Sequence, residues 1–339
     1  MTMKKVAKEN IDAFISRLLK DYTVCAPARV AEYVTFRQIT APEEVVWDRL
    51  DTRQSPKAAL LPQTEVLFEY ERSADSIVLR PSKNGEGKQV LFAVRPCDVQ
   101  AIGVLDLVFD TPEHPDVYYL HRRERTTIVG LGCNRPLSTC FCTSVGGGPF
   151  RKEGSDLFLT DIGEAYLVEV LTPKGEGLLA GTDLAEVDES DVAAAREMEE
   201  AALARLAPVV EIEGIQQRLE AMIDAPFWEE VQATCLGCGV CTLLCPVCSC
   251  FDIVDEGTMS CGVRVRNWDT CQFCVYTLEA SGHNPRPSIR ERMRQRVMHK
   301  FDYYLVNEGM LGCVGCGRCV RLCPVNLDIR ELLIEIQAA

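Results

Sequence analysis

The sequence is short of three features: long apolar runs, a secretory signal and an excess of positive charge. No apolar run approaches the roughly 20 residues needed to cross a bilayer, so no membrane span is expected. The start, MTMKKVAKENIDAFISRLLKDY, has neither a secretory apolar core nor a small-residue cleavage site. The net charge of −14 argues against nucleic acid as the main partner, because phosphate binding needs a basic surface. These deficits together predict a cytoplasmic protein.

Cysteine, by contrast, is abundant, with 18 in the chain. Without a secretory signal, disulfide bonds are a poor explanation for this number, and metal binding is the better one. The hydrophobic content of 47% and the charged content of 25% are values typical of globular proteins. The length of 339 residues suffices for two ordinary domains or one large domain.

Residues 1–172 have the pattern of an α/β domain. Helical spacing in DVQAIGVLDLVF predicts a helix over 98–109, with Asp98 as its N-cap. An amino-terminal surface helix is expected to pack four side chains inward, those of Ile11, Phe14, Ile15 and Leu18. Alternating or apolar runs predict strands at AEYVTFRQI, EVLFEY, SIVLRP, QVLFAV, TTIVGLG, DLFLT and AYLVEV.

The composition changes after this domain. Residues 173–225 are rich in alanine and acidic side chains, which predicts a solvated helical connector. From 226 to 339 the chain is rich in cysteine, and the segments between the cysteines are predicted to be helices more than strands. The expected fold class is therefore α+β and multidomain.

Two stretches, CLGCGVCTLLCP (235–246) and CVGCGRCVRLCP (313–324), share the spacing C-x2-C-x2-C-x3-C-P. In two-cluster ferredoxins the first three cysteines of such a run bind one iron–sulfur cluster and the fourth binds the other. One [4Fe–4S] cluster is then expected on Cys235, Cys238, Cys241 and Cys323. The second is expected on Cys313, Cys316, Cys319 and Cys245. Zinc is the alternative, but a four-cysteine zinc site normally pairs two separated C-x2-C units.

The segment between the repeats, residues 246–312, is longer than any in a minimal ferredoxin. Together with the helical flanks, it favours the helical-ferredoxin arrangement. Residues 226–339 are therefore predicted to form an α-helical ferredoxin-like domain with two [4Fe–4S] clusters.

Four further cysteines lie upstream. QVLFAV runs into Cys97 and TTIVGLG into Cys133, and a strand–helix–strand unit places both strands in one sheet, as neighbours. Both cysteines then lie at the carboxyl ends of strands, where open α/β sheets build their sites. The helix N-terminus at Cys97 favours a thiolate, and the following loop returns Cys140 and Cys142. A third [4Fe–4S] cluster is predicted on these four, with unligated or redox-active thiols as the alternative.

The remaining cysteines are Cys25, Cys248, Cys250, Cys261, Cys271 and Cys274. Four of them, Cys248, Cys250, Cys271 and Cys274, have zinc-like spacing, but the preferred interpretation is that they are small buried residues beside the clusters. The basic run HNPRPSIRERMRQRVMHK (283–300) is expected to balance cluster charge or to face a partner.

With these motifs assembled, the sequence resembles a known family. VRPCD, GLGCN…TCFCTS, the two repeats, WDTC, SGHNPR and RQRVMHK together resemble the 4Fe–4S dicluster β subunit of cytoplasmic nickel–iron hydrogenases and sulfhydrogenases. The A subunit of anaerobic sulfite reductase and the matching subunit of flavin oxidoreductase–heterodisulfide reductase complexes look like members of the same group. The resemblance covers most of residues 60–335. It implies the same twelve cysteine ligands.

The resemblance also implies an electron-relay subunit in a hetero-oligomeric complex. Its partners would be a flavin-binding NAD(P)H oxidoreductase subunit and a catalytic redox subunit of hydrogenase, sulfur or sulfite reductase, or heterodisulfide reductase type. The alternative is a subunit with its own sulfur-compound or disulfide reductase chemistry at the upstream cysteines.

The sequence lacks a G-x-G-x-x-G fingerprint between a strand and a helix, so no flavin or nicotinamide is expected on this chain. It also lacks the paired C-x2-C motifs of nickel-binding large subunits. An independent catalytic centre is therefore not expected.

Overall fold

The computed structural model describes residues 2–48, 52–82, 87–206 and 208–339. In these ranges the strands are β1 (Met3–Ala7), β2 (Thr23–Val30), β3 (Tyr33–Gln38), β4 (Thr64–Arg72), β5 (Ile77–Pro81), β6 (Gln89–Val94), β7 (Thr126–Leu131), β8 (Leu157–Asp161), β9 (Ala165–Val170), β10 (Ala185–Glu186), β11 (Phe251–Gly257) and β12 (Cys261–Trp268). The α-helices are α1 (Ile11–Asp21), α2 (Pro96–Phe109), α3 (Val117–Glu124), α4 (Pro173–Leu179), α5 (Glu189–Arg205), α6 (Ile215–Ala221), α7 (Phe227–Thr234), α8 (Val240–Leu243), α9 (Ile289–Met298), α10 (Tyr304–Glu308), α11 (Arg318–Arg321) and α12 (Ile329–Ala338).

An eight-stranded sheet organises the amino-terminal half, in the order β10-β1-β9-β8-β7-β6-β2-β3. Strands β2, β6, β7 and β8 run parallel, and the pairs at the two sides are antiparallel. Helices cover both faces, which explains why β6 is a continuous apolar run with five successive buried residues. Strands β6 and β7 are neighbours in one sheet, as predicted, although two helices, α2 and α3, lie between them instead of one.

Two helices bury the faces of this sheet. Helix α1 packs the four predicted side chains, Ile11, Phe14, Ile15 and Leu18, against one face, although the residues before it form strand β1 rather than a longer helix. Helix α2 packs Val99, Ile102 and Leu105 against the other face. Alternate residues of β6 serve the two sides, since Phe92 contacts the α1 cluster and Leu91 the α2 cluster.

A second sheet has the order β11-β12-β4-β5 and takes two strands from each half of the chain. The hairpin β11–β12 lies between the cysteine repeats, where helices were expected more than strands, so that expectation is wrong here. Its register is continuous from Phe251 opposite Trp268 to Gly257 opposite Gly262. Arg266 of β12 is buried and binds Glu65 of β4 at 2.5 Å, which fixes the hairpin on the amino-terminal half.

The carboxyl-terminal helices pack around one apolar cluster. Trp228 of α7, Met293 and Val297 of α9, and Leu333 and Ile336 of α12 are fully or almost fully buried in it. Residues 173–225, predicted to be a helical connector, contain α4, α5 and α6, but also strand β10, which pairs with β1 in the eight-stranded sheet. The molecule is thus of mixed α/β type, with a helical region that carries both cysteine repeats. The boundaries 1–172, 173–225 and 226–339 stay predictions.

Among the described residues, no helix is both apolar and long enough to span a membrane.

Candidate metal centres

The first cysteine set surrounds one cavity. Three of its cysteines come from the end of α7, the following loop and α8, and the loop after α11 supplies the fourth. The set is Cys235, Cys238, Cys241 and Cys323. Gly237 and Gly239 have φ of +65° and +75° in this loop, a conformation that favours glycine. The Gly237 N–H points at the Cys235 sulfur at 3.3 Å. Cys238 is exposed, so this cavity lies at the molecular surface.

The second set surrounds a deeper cavity, lined by Cys313, Cys316, Cys319 and Cys245. The last of these is 9% exposed. The fourth cysteine of each repeat thus lies with the first three of the other repeat, which is the crossed arrangement expected from the spacing.

The third cavity is lined by Cys97, Cys133, Cys140 and Cys142, the four upstream cysteines. Cys97 follows β6 in the first turn of α2, and Cys133 follows the neighbouring strand β7. The loop after β7 brings back Cys140 and Cys142.

Backbone contacts join this loop to the second repeat. The Phe141 N–H donates to the Gly315 carbonyl oxygen at 2.9 Å. Gly315 has a φ of +61°, and a Cβ there would lie 2.5 Å from the backbone of Phe141 and Cys142. Only glycine therefore allows the two cysteine loops to approach this closely.

The three cavities are neighbours. Cys319 lines both the first and the second, and Cys316 lines both the second and the third. The order along the molecule is therefore the surface cavity at Cys238, the buried cavity at Cys245, and the cavity at the end of the amino-terminal sheet.

Buried cations lie against these thiols. Arg296 is 3% exposed and lines the first and second cavities. Its Nε and Nη2 are buried with no hydrogen-bond partner in the part of the chain that the structure describes. Lys300 Nζ lies 3.4 Å from the Cys245 sulfur and donates to the Gly312 carbonyl oxygen at 2.9 Å. Four thiols around a cavity with unsatisfied cationic donors fit a thiolate-bound [4Fe–4S] cluster, whose sulfurs accept hydrogen bonds.

The surroundings of most of these cysteines oppose ionisation without a metal; Cys245 is an exception, because a hydrogen bond with Cys248 lowers the pKa of its thiol. Burial raises the pKa of the Cys313 and Cys142 thiols to about 12. Burial also raises the pKa of the Cys97 thiol well above its usual value, so the expectation that its helix N-terminus favours a thiolate is wrong for the protein without metal. Metal binding would displace these protons, because only the thiolate is a ligand.

Sequence reasoning missed a buried ion pair between the third cavity and the second repeat. Arg318 binds both carboxylate oxygens of Asp98, at 2.6 and 2.7 Å, and the side chains are 4% and 0% exposed. Asp98 is therefore not an N-cap: α2 begins at Pro96 with Arg95 as N-cap. The sequence did contain a signal for the true start of α2, because proline, here Pro96, favours the first position of a helix. Nothing in the sequence pointed to the partner of Asp98, because Arg318 lies 220 residues away in α11.

The basic run is buried in part, since Arg292, Arg296 and Lys300 are all less than one-tenth exposed. The prediction that this run balances the charge of the clusters therefore concerns two of its residues, Arg296 and Lys300. Another cation, Lys57, was not predicted: its Nζ donates to the carbonyl oxygens of Cys245 and Cys248, at 3.0 and 2.9 Å.

Among the remaining cysteines, Cys25 is apart from the three cavities, whereas Cys248 contacts Cys245 and Cys250 contacts Cys271. Cys261 and Cys274 are exposed. Across the described ranges, no three His, Cys, Asp or Glu side chains form a site for a single metal ion.

Comparison with known proteins agrees with the motifs. A family model described as a 4Fe-4S dicluster domain matches residues 234–327. Sulfhydrogenase 2 subunit beta of Pyrococcus furiosus is 32% identical over 340 residues, which cover 99% of each chain. No solved structure matches the chain. The predicted resemblance is confirmed: the chain belongs to the hydrogenase and sulfhydrogenase β-subunit family, and it is an iron–sulfur electron-transfer subunit.

Proposed function

We propose that the chain relays electrons through three [4Fe–4S] clusters, held by the three four-cysteine sets. The observation that carries this proposal is the shared wall between successive cavities, at Cys319 and at Cys316. Electrons entering at one end would have a continuous path, since each cluster would lie directly beside the next. The clusters supply one-electron chemistry; the chain sets their potentials through burial, charge and hydrogen bonds to sulfur.

Residues 226–339 would form a helical ferredoxin-like unit with the hairpin β11–β12 as an insertion. Support comes from the crossed cysteine sets and from the packing of α7, α9 and α12 around one core. The hairpin then serves to attach this unit to β4 of the amino-terminal half.

The partners would be a flavin-binding NAD(P)H oxidoreductase subunit and a catalytic redox subunit, in a cytoplasmic hetero-oligomeric complex. The relative is named as one subunit of a sulfhydrogenase, which supports such an assembly. The exposed Cys238 supports a transfer point at the first cavity, with Leu236 beside it 63% exposed. A partner could cover this apolar edge and approach the cluster there.

Iron content tests the number of clusters. Anaerobically purified protein is expected to contain about twelve irons and as many sulfides per chain, whereas two clusters would give about eight. Cys133→Ala is expected to lower the count to about eight and to remove one set of paramagnetic resonance signals from the reduced protein. Cys261→Ala, at an exposed hairpin position, is the matched control and should change neither. Eight irons in the unmodified protein, or bound zinc without visible absorption, would contradict the proposal.

A further inference from the structure

Cys250 and Cys271 lie outside the three cysteine sets and are brought together by the hairpin β11–β12. Phe251 pairs with Trp268, and the Asp269 N–H donates to the Cys250 carbonyl oxygen at 2.9 Å. The residue before β11 therefore lies beside the turn that follows β12. The register of the hairpin, rather than closeness in sequence, makes this pair.

The two thiols are adjacent, and each shifts the pKa of the other. The Cys250 sulfur accepts hydrogen bonds from the Cys271 thiol, from the Cys271 backbone N–H and from the Tyr276 hydroxyl. Gln272 Nε2 approaches the Cys271 sulfur at 3.6 Å. Both cysteines are partly exposed. Neither Cys250 nor Cys271 lines any of the three cavities, and two adjacent thiols are what disulfide formation needs.

The environment distinguishes the two thiols. The hydrogen bond from Cys271, followed in importance by the one from Tyr276, lowers the pKa of the Cys250 thiol to about 6 against the opposing effect of burial. The same hydrogen bond raises the pKa of the Cys271 thiol. A thiolate beside a protonated thiol is the arrangement of an attacking and a resolving cysteine.

We propose that Cys250 and Cys271 form a dithiol–disulfide couple that exchanges with small-molecule disulfides. The Cys250 thiolate attacks a disulfide RSSR, forming a mixed disulfide Cys250–SR and releasing RS⁻. The Cys271 thiol loses its proton and attacks the Cys250 sulfur, forming the Cys250–Cys271 disulfide and releasing a second RS⁻. The dithiol is thereby oxidised by two electrons and RSSR is reduced to two thiols, with the small disulfide as the only oxidant.

The test uses the full-length protein, purified anaerobically and exposed to graded ratios of oxidised to reduced glutathione. After acid quenching, alkylation and peptide mass spectrometry, a Cys250–Cys271 disulfide is expected, with the loss of two alkylated cysteines per chain. Cys271→Ser should instead stop at a glutathione adduct on Cys250. Cys250→Ser should lose both the adduct and the disulfide. Cys274→Ser, which removes an exposed thiol of the same loop, should retain the disulfide.

Two results would overturn the couple. One is the absence of the disulfide at every glutathione ratio; the other is a loss of iron in Cys250→Ser or Cys271→Ser, which would make these cysteines metal ligands. Neither result depends on the proposed relay through three clusters. That proposal fails separately, if the unmodified protein contains only about eight irons. The peptide mapping needs no substitution, so it remains decisive even where a variant fails to fold.

Discussion

Arg318 joins the second cysteine repeat to the amino-terminal half through buried contacts. Besides Asp98, its guanidinium binds the Thr52 hydroxyl at 2.7 Å and the Thr52 carbonyl oxygen at 3.1 Å. Arg318→Ala leaves a buried carboxylate without its partner, and the free energy of unfolding should fall by about 3–5 kcal/mol. Anaerobic denaturant titration of the iron-loaded protein measures this loss.

Arg80 provides the control for this substitution. Its guanidinium also binds both carboxylate oxygens of one residue, Glu71, but here both side chains are exposed, Arg80 on β5 and Glu71 near the end of β4. Solvent screens such a pair, so Arg80→Ala should cost far less stability than Arg318→Ala. Equal losses in the two variants would show that burial of the Arg318 pair adds nothing to stability.

At the scale of elements, the contact between the loop 139–142 and the second repeat depends on glycine. Gly315→Ala would place a Cβ 2.5 Å from the Phe141 and Cys142 backbone, so the loop would have to move away from the repeat. The free energy of unfolding should fall by more than the cost of the backbone conformation alone. The variant should also lose about four of its irons. Iron analysis together with thermal unfolding measures both effects.

Gly309 is the control site that distinguishes the effect of crowding from the effect of backbone strain. Its φ of +68° is close to the +61° of Gly315, but a Cβ there would meet no atom within 4 Å. Gly309→Ala should therefore cost only the roughly 1 kcal/mol of an unfavourable conformation and keep its full iron content. If both variants lose iron equally, close approach of the loops is not what positions the third set.

A comparison of predicted and observed strands shows what the local sequence pattern can predict. Strands β6 and β9 match the predicted runs QVLFAV and AYLVEV residue for residue, because apolar runs mark buried strands. The alternation in VRVRNW was equally present, but it lay inside a repeat region expected to be helical, and the strand β12 was missed. Its pairing with β4, nearly two hundred residues earlier, is a tertiary contact that no local pattern encodes.

The same limit applies to the cysteines. Spacing and the ferredoxin rule predicted the crossed sets, and the strand–helix–strand unit predicted the meeting of Cys97 with Cys133. Neither could predict the couple of Cys250 with Cys271, because their contact arises from the hairpin register. Arg296 was recognisable only as part of a basic run, since its burial depends on how α9 packs.

At the scale of the whole molecule, the contacts that join the two halves include the mixed sheet, the Arg318 pair and the loop on Gly315. The amino-terminal sheet supplies the third cysteine set, and the helical region supplies one wall of the same cavity through Cys316. The third cavity is therefore built by both halves, and the cluster proposed for it would depend on both.

Removal of the clusters should destabilise one part of this molecule selectively. Without metal the Cys241 and Cys319 thiols beside Arg296 stay protonated at neutral pH, because burial raises their pKa, and this buried guanidinium loses the negative charge that it would face. An uncompensated buried charge costs roughly 3–5 kcal/mol, so the segments 235–245, 293–301 and 313–323 should lose that much opening free energy. Hydrogen exchange before and after anaerobic chelation measures it. Strands β1 and β9, which pair with each other in the outer part of the amino-terminal sheet, should keep their protection. An equal loss in those strands would mean that the clusters support the whole fold rather than the cysteine region.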